Sequence, residues 1–293
     1  MKVRVKFRKF GPIRFIGHLD VMRFFQKCIR RAEIDVAYTT GFSPHQIMTF
    51  AAPLGVGLTS DGEYMDIECN SVTDSRDMIE RFNRASVPGI EIVSVVLLPD
   101  HTGNAMASVA AASYTVRFRE GREPTFDYTG KLDAFYALPQ ILITRETKKN
   151  TLTVDIRPGI YELTADKESG AVHMTVDASS GGNIKPGQVL EAYAAWQGEK
   201  LAENAYTVHR RDTYVNLAAA GEPMRLAPMD AVGSLITRPM VDEERIEIAR
   251  QARIRKEETM VENRRIRQET MAAAETLRQE WMRGKEDEQS NRA

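Results

Sequence analysis

The strongest constraint on this chain is an order of periodicities that occurs twice. Residues 2–8 alternate charge and apolar side chain (Lys2-Val3-Arg4-Val5-Lys6-Phe7), the two-residue period of a half-buried strand. After a turn at Gly11-Pro12, residues 17–33 change to helical spacing, with Leu19, Met22, Phe25, Cys28, Ile29 and Ala32 on one stripe. Arg23, Lys27, Arg30 and Arg31 fall on the opposite face. Strands are expected over 35–39, from about Ile47, and over 63–69. A short amphipathic helix follows over 73–85, with Met78, Ile79 and Phe82 inward, and then a β-branched run over 90–98.

Beyond a small, Ala/Ser-rich linker at 103–113 the succession restarts. Tyr114-Thr115-Val116-Arg117-Phe118 parallels Val3-Arg4-Val5-Lys6-Phe7, and Leu132-Asp133 parallels Leu19-Asp20, at an offset of about 110 positions. Strands are expected at 141–145 and 151–157, joined by a turn at Lys148-Lys149-Asn150. Val172 to Val176 matches the alternation of Tyr64 to Glu68, 186–196 the second helix, and 205–215 the last strand. The order β-α-β-β-α-β, twice, predicts an α+β protein of two tandem ferredoxin-like domains. Their expected limits are 1–103 and 113–220, with 221–293 as a connector and a long charged helix. Residues 242–283 contain neither Gly nor Pro. Their charges are balanced, and their apolar residues (Ile246, Ile254, Val261, Ile266, Leu277, Trp281) keep no steady heptad register. A solvated single helix is the plain expectation, a docking arm for a partner the sharper one, and the end beyond Gly284 is expected to fray.

Composition enters through charge. The net charge is −1, yet residues 1–50 hold ten Lys/Arg against three acids, an excess of seven positive charges. The two cysteines, Cys28 and Cys69, have neither disulfide-framework nor metal-ligand spacing. No apolar run reaches the roughly 18 residues of a membrane span, and the charged start is not a signal peptide. A cytoplasmic location, no membrane partner, no metal and no cofactor are therefore expected.

Two segments stand out as candidate sites. In Tyr38-Thr39-Thr40-Gly41-Phe42-Ser43-Pro44-His45, Gly41 permits positive φ and Pro44 extends Ser43. An aromatic, a hydroxyl and an imidazole would be displayed on a constrained loop, unless Gly and Pro only shape a connection. Phe15-Ile16-Gly17-His18-Leu19-Asp20 places His18 at a helix N-terminus, where free N–H groups attract anions. His18 as a simple cap is the plain alternative. Together Lys6, Arg8, Arg14, His18, Tyr38, Phe42 and His45 are expected to form one RNA- or anion-binding face, cations to phosphate and aromatics to bases. No nucleotide-binding glycine loop, zinc spacing or nucleophile elbow is present.

These segments carry a resemblance. Phe15-Ile16-Gly17-His18-Leu19-Asp20, Arg30-Arg31-Ala32, Tyr38-x-x-Gly41-Phe42-x-Pro44-His45, Phe50-Ala51-x-Pro53-Leu54 and Gly62-Glu63-Tyr64-x-Asp66 resemble the radical-SAM-associated bacterial domain of unknown function. Thr144-Arg145 and Val154-Asp155-Ile156-Arg157-Pro158 extend the likeness, which covers about residues 1–238 and departs from the usual pattern at Gln46. The resemblance implies a domain fused to, or encoded beside, radical-SAM proteins, often near ribonuclease and ribosomal-protein genes, with no established activity. The leading expectation is a non-catalytic module that presents RNA, or a ribosomal component, to a separate radical-SAM enzyme. Two other classes remain open. One is a metal-independent endoribonuclease in which His18 or His45 transfers the proton and Tyr38 orients. The other is a protein–protein adaptor working through the terminal helix.

Overall fold

A computed structural model of the chain describes residues 1–146, 151–219 and 221–290. The chain falls into two compact units, Met1–Ala37 with Gln46–Asp242, and Tyr38–His45 with the segment from Glu243 onward.

The first unit begins with β1 (Lys2–Lys9), α1 (His18–Arg31), β2 (Met48–Phe50), β3 (Thr59–Glu68), β4 (Ser71–Val72), α2 (Ser75–Ala85) and β5 (Ile90–Leu97). β1 lies between β5 and β3, antiparallel to both, and β2 adds to β3 through Met48–Phe50. Val3, Val5 and Phe7 share one face of β1 by the pleat. They pack with Phe25 and Ile29 of α1 and with Met78 and Phe82 of α2 in the first core. The expected inward stripe of α1 is off at its first turn. Leu19 is 61% exposed, and Val21 is buried in its place. Residues 35–39 form no sheet strand; Val36 bridges to Cys69, and Tyr38 is also a bridge position.

After the short helix α3 (Ala105–Ser108), the second half comprises β6 (Ala111–Phe118), α4 (Leu132–Tyr136), β7 (Leu142–Glu146), β8 (Thr151–Asp155), β9 (Ile160–Ala165), β10 (Val172–Asp177), α5 (Pro186–Trp196) and β11 (Tyr206–Asn216). β7 and β8, read from the sequence as two strands of the repeated order, form a separate hairpin. β9 takes the sheet position beside β10. β8 (Thr151-Leu152-Thr153-Val154-Asp155) alternates more cleanly than β9, whose buried Ile160 and Leu163 differ in parity, so tertiary packing and not the pattern places β9 in the sheet. The expected turn at Lys148-Lys149-Asn150 lies outside the described residues. Tyr114, Val116, Val172, Met174 and Val176 face Val189, Leu190 and Tyr193 of α5 in the second core.

With β12 (Leu226–Pro228) and β13 (Ser234–Leu235) included, one sheet of ten strands among the described residues runs through both halves in the order β13-β5-β1-β3-β11-β6-β10-β9, with β2 and β12 alongside. The seam is short and parallel, His209 opposite Thr59 and Arg210 opposite Ser60. β3 thus has two partners on one edge, β2 near Met65–Ile67 and β11 near Thr59–Ser60. The segment expected as a connector is tied back to the first unit, twice to this sheet and once to a separate two-stranded pair. β12 (Leu226–Pro228) pairs with β11, β13 (Ser234–Leu235) with β5, and β14 (Met240–Val241) with β4. The α+β class and the long C-terminal helix follow the sequence reading.

In the second unit, α6 (Glu243–Ser290) runs on through Gly284, beyond the point where fraying was expected. Its exposed pairs include Arg253–Glu257 (3.1 Å) and Arg265–Glu269 (3.1 Å), the i,i+4 spacing that supports a solvated helix. Among the described residues, no helix is long and apolar enough to cross a membrane.

Candidate functional site

On the inner face of the first half, a set of buried ionisable groups collects beneath the start of α1. Lys9 shares its strand face with Phe7, and Glu63 stands opposite Phe7 on β3. The Lys9 ammonium donates to the Ile16 carbonyl (2.9 Å), at the turn that leads into α1. Glu63 accepts from Arg210 (2.8 Å), whose guanidinium also donates to the Ala52 carbonyl (2.8 Å) and to the Tyr114 hydroxyl (3.3 Å). His18, the first residue of α1, sets its ring edge-on to Phe50 at 5.1 Å.

Burial governs the proton affinities here. It lowers the Lys9 ammonium, with the Glu63 charge opposing, and lowers the His18 imidazole, with Lys9 adding to the effect. It pushes the Glu63 carboxyl up, against the pull of Arg210, while Glu63 keeps Arg210 firmly protonated. Phe7, Lys9, His18, Phe50, Leu54 and Glu63 enclose a cavity of about 10 Å³. That volume holds at most one water. The cluster can fix a water or relay a proton, but a substrate would enter only if the Pro53–Leu54 cover moved.

The opposite face of β1 is charged and paired. Arg4 meets Asp66 through two bonds (2.7 and 2.9 Å) and donates to the Met229 carbonyl. Lys6 meets Asp212 at 2.7 Å, and Arg8 lies 3.5 Å from Asp61 and 3.2 Å from Glu91. The three cations of this face are thus matched by acids distant in sequence. Arg14 stacks on the Phe15 ring at 4.7 Å, at the turn before α1. Lys6 and Arg8 therefore stand on one face of the sheet, while His18 sits over the other.

Tyr38, Phe42 and His45 belong to the second unit. Their loop is closed across its base. The Thr39 N–H donates to the His45 carbonyl (2.9 Å), the His45 N–H to Thr39 Oγ1 (3.1 Å), and His45 Nδ1 also lies 3.1 Å from that hydroxyl. Gly41 takes φ +121°, which an L side chain rarely adopts. The closed base and the glycine hold Phe42 out at 93% exposure, with Tyr38 at 48%. Within the same unit, the loop and α6 border a groove of about 530 Å³.

Sequence reasoning passed over Lys9, Glu63, Arg210, Arg255 and Lys256. Glu63 was detectable, since it shares parity with Met65 and Ile67 and so points inward on any strand reading. Arg210 carried no such signal, its partner lying 147 residues away. Among the described residues, no three His, Cys, Asp or Glu side chains stand together as a metal set.

The chain belongs to the family described as an uncharacterized protein conserved in bacteria (DUF2344), whose model matches residues 2–186. No curated protein matches the chain.

Proposed function

We propose that this member of the bacterial family is a non-catalytic accessory module that binds RNA, or a ribonucleoprotein, on behalf of a separate radical-SAM enzyme. The observation that carries the reading is the loop 38–45. A nearly fully exposed Phe42 and a half-exposed Tyr38 stand on a backbone pinned by Thr39 and His45. Exposed aromatics on a fixed backbone are stacking platforms for unpaired bases, and stacking accepts any base. The radical-SAM association rests on the sequence resemblance alone.

The fold proposed for the scaffold is a pair of ferredoxin-like halves. Two matching strand orders support it, β5-β1-β3-β2 in the first half and β11-β6-β10-β9 in the second. The fold supplies a platform and does not by itself specify a ligand.

Affinity purification of the native complex, with sequencing of bound RNA and identification of co-eluting proteins, tests the function. Enrichment of an RNA together with a radical-SAM enzyme is expected. Recovery of protein partners with no RNA above background would replace this reading with the adaptor. Metal-free cleavage of the bound RNA would replace it with the nuclease.

A further inference from the structure

The long helix has no part in the sequence-based account of RNA binding, yet its middle shares a groove with the Phe42 loop. We propose that α6 supplies the phosphate-binding wall of a single-stranded RNA site whose base-stacking wall is Phe42. The proposal rests on the RNA reading above and assigns that site its second half.

The geometry is that of one helix face. Ile248, Arg255, Thr259 and Asn263 are spaced by seven, four and four residues, so they lie along a single stripe, with Lys256 and Met260 beside it. From Ile248 to Asn263 the stripe is about 22 Å long at 1.5 Å per residue. The groove's volume, about 530 Å³, falls in the range of sites that take a small ligand, and a nucleotide fits it.

Charge decides the occupant. Two cations, Arg255 and Lys256, line the groove, and no carboxylate does. Elsewhere on this balanced helix several arginines are matched with acids, as Arg250 is with Glu247, Arg253 with Glu257, and Arg265 with Glu262 and Glu269. Among the described residues, neither Arg255 nor Lys256 has such an ion pair. An apolar peptide would find Phe42, Ile248 and Met260 but would leave both cations without counter-charge. A single strand satisfies the charged, aromatic and amide groups together: phosphates on Arg255 and Lys256, a base against Phe42, and base edges or ribose hydroxyls within reach of Asn263.

The test uses the full chain and a fluorescein-labelled single-stranded RNA of mixed sequence, about 20 nucleotides long, read by anisotropy across a salt series. Phe42→Ala should weaken binding by about 5- to 150-fold, the worth of one stacked base. Arg255→Glu with Lys256→Glu should weaken it by at least about 10-fold and make the log–log salt slope shallower by about 1.4, two contacts at about 0.7 each. The matched reversal Arg250→Glu with Arg265→Glu, on the far side of the helix, should change neither by more than about 2-fold. All these side chains are exposed, and circular dichroism checks that the helix persists in each variant. If wild type and Phe42→Ala behave as stated but the Arg255/Lys256 variant binds like wild type, the helix wall is wrong and the RNA reading stands. If the two reversals weaken binding equally, the effect is general charge and the groove assignment fails. If wild type shows no salt-dependent binding to this probe, the RNA reading itself falls.

Discussion

Replacing Arg210 by Met would leave the Glu63 carboxylate buried without its guanidinium. Both side chains are at most 7% exposed and meet at 2.8 Å, so the pair is shielded from solvent and salt. Removing one partner of such a pair costs about 3–5 kcal/mol, because the remaining charge is left unpaired. The lost bond to the Ala52 carbonyl adds about 1 kcal/mol. We expect Arg210→Met to lose about 5 kcal/mol at pH 7 by urea unfolding, with the slope unchanged. The pH dependence identifies the cause. Burial already raises the folded-state affinity of Glu63 for its proton, and the variant raises it further. A group raised in the folded state gives full stability below its unfolded pKa, about 4.3 for Glu, and loses it as pH rises through the folded value. The variant's deficit should therefore shrink by at least half between pH 7 and pH 4.5. Glu63→Gln placed on Arg210→Met should recover most of the loss at pH 7 and remove the added pH dependence. A deficit below about 1 kcal/mol, or one that is flat with pH, would refute the assignment of a desolvated ion pair at the seam.

Other outcomes follow from the same geometry. His18 should titrate below ordinary histidine by NMR, and Lys9→Met should move its titration up; no movement would remove Lys9 from the cluster. Because the folded-state value of His18 is depressed, its stabilising share is present above about pH 6.5 and lost as pH falls through the folded pKa. Gly62→Ala should cost at least about 1–3 kcal/mol in denaturant, since a Cβ there would collide with the backbone of Asp212 across the β3–β11 seam. Truncation after Asp242 should leave the thermal midpoint within a few degrees. Truncation after Val241 should cost more, because Asp242 pairs with the N-terminal ammonium and donates its N–H to Asn70 at 2.7 Å. Equal midpoints for the two truncations would show that this clasp contributes nothing.

Much of the scaffold was legible because its signals are local. The alternation of Lys2 to Phe7, the helical stripe through Phe25 and Ile29, and the uninterrupted run of helix formers after Asp242 each specify an element without help from the rest of the chain. What failed was long-range. Strand β8 alternates more cleanly than the sheet strand β9, so their roles are set by which one fits beside β10 and not by the pattern. The positive excess of the first fifty residues read as a free basic face, yet Lys6 is matched with Asp212, 206 residues away. No window on the sequence sees that pairing. The site reading divides along the same line. The displayed Phe42 was legible from Gly41 and Pro44, whereas the Lys9–Glu63–Arg210 cluster depends on two halves meeting.

That meeting has a consequence in time. The edge of β3 that carries Thr59 and Ser60 waits for β11, the last strand of the second half, and Glu63 waits for a guanidinium 147 residues downstream. At ribosomal rates of about 5–20 residues per second, the interval is about 7–30 s. Throughout it the first half can form its own helices and β1–β3 pairing, but Glu63 must stay hydrated and the Thr59 edge stays open. During synthesis the chain therefore spends many seconds as a half-sheet with a wet seam, and the arrival of Arg210 both closes that edge and expels its water.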